Sequence, residues 1–459
     1  MSEWLKEQTW KVCVGVISPR VQIPLSPFKS LTKPMNTANK TFCMAPWTHM
    51  HISPDGDVRQ CCMMSIIDEE YSLEYLSIFN NSIHDDKKLG SLKYESIQDI
   101  WNNDKMKKLR KNMLCGEKSD CCTGCYKQEE IGNDSLRSLF NSQYSNHYKY
   151  IKETKEDGTF EKFNLVSWNF ELDNVCNFKC RSCVPALSSS WEQELRKKFN
   201  IKDQFFKINL EKLYQDMEPL YDIVEDISFA GGEPLISDYH YDILNKLIEK
   251  NKTEIYIHYN TNFSTFTHKG IHVFDLWDKF SNIDIQISLD GMGKRGELIR
   301  KGFNWEKFLN NIETFKIRFP QQTIKINCVF QVINCFHVMD LHRELYEMEI
   351  IKNWDDFNIS ILLNPNILSV CILDSKYKKN LAEKIKYHIT KYLKPAKAKE
   401  SIKIYTSILK MLGLEDKSHL VPHFKKYMNE LDILRNENYL EVFPELKEIF
   451  GDIDKFVSE

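Results

Sequence analysis

Three cysteines, Cys176, Cys180 and Cys183, stand in the segment ELDNVCNFKCRSC at C-x3-C-x2-C spacing. Positions i, i+4 and i+7 also share one face of a helix, so three core thiols could produce the same pattern by accident. Asp173, Asn174 and Asn177 are turn and cap formers, however, and Lys179 and Arg181 leave the stretch poorly apolar, which favours thiolate ligands for metal. Three thiolates rather than four are chemically informative. A cubane 4Fe–4S cluster takes one ligand per iron, so three leave one iron open to a substrate or cofactor.

A second group lies upstream. The run TFCMAPWTHMHISPDGDVRQCC places Gly56 between Cys43 and Cys61, and Pro54-Asp55-Gly56 marks a turn between two strand-like runs, so a hairpin can bring the two thiols together. SDCCTGCYKQE supplies Cys122-x2-Cys125, the commonest way to present two thiolates to one metal. Together these four complete one site. Cys61 is preferred to Cys62 and Cys122 to Cys121 by spacing, while Cys62, Cys121 and Cys115 stay open as alternatives or neighbouring thiols. A structural zinc ion would accept the same four thiolates as a cluster. Cys13, Cys328, Cys335 and Cys371 are scattered singles, read as small buried hydrophobes.

The elements that must position these residues alternate. From about residue 165, β-rich runs (NLVSWNFEL, DIVEDISFAG, TEIYIHYNTN, NIDIQISLDG, TIKINCVFQVI and DFNISILLN) are separated by stretches such as SSSWEQELRKKF and YHYDILNKLIEKN, whose apolar residues recur every three or four positions. Ser189 and Glu192 have capping-box spacing at the first of these helices. The pattern predicts an α/β fold, a partial (β/α)6 TIM-type barrel whose chemistry gathers at the C-terminal strand ends. The reading divides the chain into an N-terminal segment (1–39), a cysteine-rich region (40–145), the barrel (160–372) and a helical C-terminal extension (373–459). In that extension Leu381, Ile385, Ile389 and Leu393 recur by four and predict a packing face. IQDIWNNDKMKKLRKNML predicts one helix with Ile100, Trp101, Met106, Leu109 and Met113 inward and its basic run 105–111 on a solvated face.

With 459 residues the chain can bury a large core, and 62 Lys plus Arg against 65 Asp plus Glu create no field that draws it to nucleic acid or an anionic membrane. Fourteen cysteines would suit a disulfide scaffold in a secreted protein. The N-terminus offers only the short apolar stretch Val12–Ile17, too brief for a signal-peptide core or a span, so a cytoplasmic protein with reduced thiols and no membrane association is expected.

The cysteine trio after the first barrel strand resembles the motif of the radical S-adenosylmethionine (SAM) superfamily, as does Phe178 between its first two cysteines. Ala230-Gly231-Gly232-Glu233-Pro234 after the second strand is similar to that superfamily's GGEP motif. The resemblance implies a 4Fe–4S cluster on Cys176, Cys180 and Cys183 that binds SAM, with the glycines letting backbone approach the ligand and Glu233 accepting from the SAM amino group. It extends to Asn262 and Ser288, to Asp290 for the ribose or methionine part, and to Arg300 for the SAM carboxylate.

The upstream region resembles SPASM/twitch auxiliary-cluster domains, although those usually follow the barrel. That implies a second 4Fe–4S cluster on Cys43, Cys61, Cys122 and Cys125, and a further likeness runs from Ile100-Trp101-Asn102 to Arg137. The implied chemistry is reductive SAM cleavage followed by hydrogen abstraction from a peptide or protein, with an electron donor such as flavodoxin or ferredoxin. A small-molecule substrate such as a sugar or amino-acid derivative is the alternative, and a non-catalytic electron-transfer protein is the rival of another class. His258 and His337 are not distinguishable from structural histidines by sequence.

Overall fold

The computed structural model describes residues 41–62, 88–130, 134–201, 208–362, 365–413 and 415–451. Cys13 and the segment 1–39 lie outside the described residues. The strands of the main sheet among the described residues are, in chain order, β1 (His49–Ile52), β2 (Asp57–Arg59), β3 (Gly90–Ser91), β4 (Ser167–Phe170), β5 (Asp226–Phe229), β6 (Tyr256–Thr261), β7 (Asn282–Ser288), β8 (Lys325–Phe330) and β9 (Phe357–Ile361). They form one nine-stranded sheet in the order β9-β8-β7-β6-β5-β4-β1-β2-β3. The last six strands pair in parallel in sequence order and make the partial barrel. Its sheet continues past β4, because β1 pairs in parallel with β4 and carries β2 and β3 antiparallel beyond it.

Alternation along each strand separates two faces. Met50, Ile52, Val58, Trp168, Phe170, Ile227, Phe229, Ile257 and Ile285 are buried on one, where Trp168 meets Tyr221 and Phe229 meets His240 of the helix Asp238–Glu249. The other face is polar. Strand register aligns Arg59, His51, Asn169, Ser228, His258 and Asp284 in one lateral row across six strands.

The N-terminal ends of this polar face are closed by the helix Leu136–Gln143 and the residues just after it. Phe140 lies 4.6 Å from the His49 ring, and Tyr144 donates to Asp226. Ser167 Oγ also donates to Asp226 at 3.0 Å and stands 2.7 Å from His49 Nδ1.

Three sequence expectations change in detail. The helix expected over residues 97–114 is two helices, Ile97–Trp101 and Asp104–Cys115, because Asn103 caps the second by accepting from the Met106 amide at 3.0 Å. The basic run is not wholly solvated. Lys105, Lys108 and Lys111 are exposed, whereas Arg110 is buried, stacked 4.7 Å from the Trp101 ring centroid and donating to the Pro46 carbonyl at 2.8 Å. In the extension, Leu381, Ile385, Ile389 and Leu393 are all buried, but the α-helix Ser375–His388 passes into a π-helical turn at Ile389–Leu393. A strict spacing of four drifts around a helix of 3.6 residues per turn, and the wider turn returns the last apolar residues to the core.

Burial pushes the Asp226 carboxyl up to about 6 despite its bonds from Tyr144 and Ser167. A carboxyl raised by folding holds its proton more tightly in the native state, so its contribution to stability is lost as pH rises from about 4 to about 6. Asp226→Asn should remove that loss and gain up to about 3 kcal/mol over the wild type at about pH 8 relative to about pH 4, read from urea unfolding. Identical pH slopes for the two proteins would contradict this.

Candidate metal and cofactor centre

Past β4 the chain turns through the loop that carries Cys176, Cys180 and Cys183, all partly buried free thiols. The Cys176 thiol is held well above its ordinary value, by burial first and by the charge of Cys180 next. Cys183 is pushed up to about 12 by burial and Cys180. The three sulfurs thus lie in one another's field. The Phe178 amide also points at Cys176 Sγ, 3.5 Å away. Among the described residues no three Cys, His, Asp or Glu side chains converge as a single metal ion would require. A cubane takes each thiolate on a separate iron, so its donors need not meet at one point. Thiols raised by burial stay protonated unless a metal replaces the proton, which suits a ligand set that binds as it deprotonates.

An irregular loop needs bracing, and the helix Ser189–Phe199 supplies the first brace. Ser188 Oγ donates to the Phe178 carbonyl at 2.5 Å and Ser190 Oγ to that of Cys176 at 2.7 Å. Trp191 Nε1 donates to the carbonyls of Cys180 and Cys183 at 3.1 and 3.0 Å. The expected capping box is corrected here. Ser188, not Ser189, is the N-cap, and Glu192 accepts from Asn174 of the cysteine loop and pairs with Arg196. Ser189 is occupied instead by the Cys176 amide, which donates to its hydroxyl at 3.2 Å.

The GGEP loop after β5 is the second brace. The Glu233 amide donates to the Val175 carbonyl at 2.7 Å, and a Cβ on Gly232 would stand 2.2 Å from that same oxygen. Gly231 has φ +96°, and a side chain there would meet Glu171. These glycines therefore serve the contact between two loops as well as any ligand. Residues after β7 add the third brace, where Arg300–Lys301 pairs antiparallel with Lys179–Cys180.

The fourth brace comes from the C-terminal extension. Arg181, fully buried inside the cysteine loop, pairs with Asp432 at 2.5 Å and Glu437 at 2.7 Å. Tyr427 donates to the Arg181 carbonyl at 2.7 Å, and Arg435 stacks 4.6 Å over the Trp191 ring. The helix Val421–Arg435 thus covers the back of the cluster loop, a role that its sequence periodicity did not suggest.

The remaining expected SAM residues sit around this loop with their own partners. Glu233 is buried and raised to about 7 by that burial, while its two oxygens accept from Thr261 Oγ1 at 2.6 Å, the Asn262 amide at 2.6 Å and the Leu235 amide at 3.1 Å. Pro234 opens the short helical turn that follows. Asn262 Nδ2 donates to Asn177 inside the cysteine loop at 2.9 Å. Ser288 and Asp290 are buried at the end of β7. Arg300 Nε lies 2.8 Å from Asp290 Oδ2, an ion pair whose alignment falls short of a hydrogen bond, and its Nη1 is 4.0 Å from Cys180 Sγ. Although burial opposes it, Asp290 and the Cys180 sulfur hold the Arg300 guanidinium firmly protonated.

Cys43 precedes β1 and Cys61 follows β2, so both leave the hairpin at the end opposite the Cys176 loop. The charges of Cys43 and Cys61 both act on Cys122, and that of Cys125 on Cys43, so the four expected thiols lie within electrostatic reach of one another. Cys121 and Cys122 share a hydrogen bond, which, with Ser119, lowers the Cys121 thiol and pushes that of Cys122 up. Cys115 is exposed at the end of its helix. Arg137 donates to the Phe42 carbonyl at 2.7 Å and pairs with Glu129, and Asn141 one turn later donates to the same carbonyl, so one helix fixes the residue before Cys43. Sequence reasoning reached Arg137 only through a motif likeness. Its position four residues before Asn141, on one helix face, is the signal that the two work together.

The SPASM iron–sulfur cluster-binding domain model matches residues 43–127, and the Radical SAM superfamily model matches residues 171–332. No curated protein matches the chain. Among solved structures, native anSMEcpe with bound AdoMet and Cp18Cys peptide is 17% identical, over 49% of this chain and 60% of that one, with a TM-score of 0.33. Streptococcus suis SuiB bound to precursor peptide SuiA is 16% identical, over 62% and 63%, also with a TM-score of 0.33. The chain thus spans about three-fifths of the length of the anSMEcpe chain it matches. No helix among the described residues is long and apolar enough to cross a membrane.

Removing Asp432 and Glu437 together leaves Arg181 buried without its counter-charges, at a cost of about 3–5 kcal/mol. The Asp432→Ala/Glu437→Ala protein should lose iron from the Cys176 loop while keeping that of the N-terminal thiols, measured by iron analysis and visible absorbance. Full iron content with unchanged unfolding would show that the extension does not brace the loop.

Proposed function

We propose that this chain, which belongs to the radical SAM superfamily and carries a SPASM-type iron–sulfur region ahead of its barrel, reductively cleaves SAM to abstract hydrogen from a peptide or protein. The observation that carries this reading is the braced trio of Cys176, Cys180 and Cys183, packed through Val175 against the GGEP loop. Three thiolates, with Phe178 shielding the loop, fit a 4Fe–4S cluster that keeps one iron for SAM. When bound, the pair supplies one-electron cleavage of the sulfonium and a 5′-deoxyadenosyl radical.

The protein's own residues orient and exclude. Glu233 ties the ends of β5 and β6 together, so Gly231, Gly232, Pro234 and Asn262 present backbone to SAM at a fixed separation. Arg300, held by Asp290, sets a positive charge beside Cys180 and can receive the SAM carboxylate. Ser288 adds a hydroxyl at the same strand end. Cys43, Cys61, Cys122 and Cys125 would hold the second cluster, for electron transfer or to fix this region to the sheet. An external donor of the flavodoxin or ferredoxin kind completes the proposal.

A peptide is what the anSMEcpe and SuiB structures hold, and for this chain it is our proposal; a small metabolite is the competing substrate. A pure electron carrier would have no use for a three-thiolate site beside GGEP.

Anaerobic reconstitution should give about eight irons per chain. With SAM and reductant it should yield 5′-deoxyadenosine. Cys180→Ala should abolish that product and keep the N-terminal cluster's absorbance, whereas Cys122→Ala/Cys125→Ala should retain about four irons. Absence of deoxyadenosine under every reducing condition would favour the electron carrier.

A further inference from the structure

The row of polar side chains across β2, β1 and β4 contains a charge that has the carboxyls of Asp57 and Glu171 in its field but makes no direct ion pair. Arg59 is 5% exposed, its Nε has no hydrogen-bond partner, and among the described residues it makes no ion pair. Buried guanidinium groups are ordinarily paired, because an uncompensated interior charge costs several kcal/mol. The buried arginines at the cysteine loop follow that rule, whereas Arg110, also without an ion pair among the described residues, is held by stacking on Trp101 and by the Pro46 carbonyl. Arg181 has Asp432 and Glu437, and Arg300 has Asp290.

The neighbours of Arg59 are also underused. Register places His51 opposite Arg59 and Asn169 opposite His51, on the polar face. His51 is 2% exposed, and neither its Nδ1 nor the buried Oδ1 of Asn169 has a well-aligned hydrogen bond, although the two side chains act on each other. Burial, reinforced by Arg59, holds the His51 imidazole neutral. Two residues after Asn169, Glu171 directly follows β4 and lies against Gly231 of the GGEP loop. Its carboxyl is raised to about 7 by burial and feels Arg59, and its charge reaches Cys183. This constellation therefore lies on the polar face of the sheet, with Glu171 in the field of both Arg59 and Cys183.

We propose that Arg59, with His51 and Asn169, is a substrate-anchoring subsite that takes a carboxylate flanked by an N–H, as at the C-terminus of a peptide. A guanidinium matches a carboxylate in a two-point contact, and the Asn169 oxygen, which faces His51, has a second lone pair for an adjacent N–H. One guanidinium with Asp57 and Glu171 in its field suits a single negative charge; phosphate, carrying more charge, would be repelled more strongly by both carboxyls. Arg59 comes from the N-terminal hairpin, so the SPASM-type region supplies a substrate contact as well as thiolates. This inference rests on the peptide reading above, but its test reads binding and stability rather than SAM cleavage.

The full chain, reconstituted anaerobically, is titrated with N-acetylglycine as probe, and binding is followed by ligand-observed NMR. Wild type should bind N-acetylglycine at least tenfold more tightly than N-acetylglycinamide or inorganic phosphate, and Arg59→Gln should lose that preference. Arg59→Met should also resist urea better than wild type, because it deletes an unpaired buried charge. A destabilised Arg59→Met protein would show that Arg59 is structural. Undiminished N-acetylglycine binding by Arg59→Gln, or tighter binding of phosphate than of N-acetylglycine by wild type, would equally overturn the subsite. Failure to form deoxyadenosine overturns the reaction and leaves these binding results standing.

Discussion

The parallel hydrogen bonding of β1 to β4 fixes the relation between the two groups of thiols. Both strands run toward the same end, where β4 delivers Cys176, while β2 returns and delivers Cys61 at the other. The N-terminal region is thereby held in register with the barrel, as a continuation of its sheet. A slip of one residue in that pairing would turn His51 and Arg59 onto the apolar face and bring Met50 and Ile52 onto the polar one. Burial of those apolar side chains against the helices is what specifies the register.

A sheet extended in this way carries an unusually polar inner face, and the structure deals with it differently along its depth. At the N-terminal strand ends Tyr144, Ser167 and Asp226 satisfy one another. At the C-terminal ends Glu233 and Asn262 are spent on joining loops. Between them, His51, Arg59, Asn169, His258 and Asn260 keep unpartnered atoms. Native interiors leave few polar atoms unsatisfied, so this layer is the part of the inner face whose bonding the fold itself leaves least complete.

Much of this was legible in the sequence, for reasons that differ from residue to residue. The six barrel strands announce themselves because buried parallel strands read as β-rich runs punctuated by turn residues. The GGEP and C-x3-C-x2-C segments are local and therefore visible. The pairing of β1 with β4 is not local: it joins segments more than a hundred residues apart and leaves no periodic mark. Arg181 read as one of two charges that made its loop polar, yet it is fully buried, because its partners Asp432 and Glu437 come from the far end of the chain. Likewise Arg110 looked solvated by composition, and only the fold brings Trp101 and the Pro46 carbonyl to it. The split at Asn102–Asn103, by contrast, was available from capping chemistry.

The two thiol sites share an electrostatic device. Arg300 faces Cys180 while Asp290 holds it from behind, and Arg137 stands beside Cys43 and Cys125 while Glu129 holds it. In each pair the carboxylate fixes the direction of the guanidinium and offsets most of its charge at long range. What remains is a dipole with its positive end toward sulfur, which favours thiolate locally without adding net charge to the interior. Such a dipole lowers the cost of assembling several thiolates in one place, and it also stabilises the reduced, more negative form of a cluster. A neutralised arginine would therefore shift both how firmly iron is held and how easily it is reduced, and the two sites can be tuned separately because their arginines lie on different elements, Arg300 after β7 and Arg137 on the helix Leu136–Gln143.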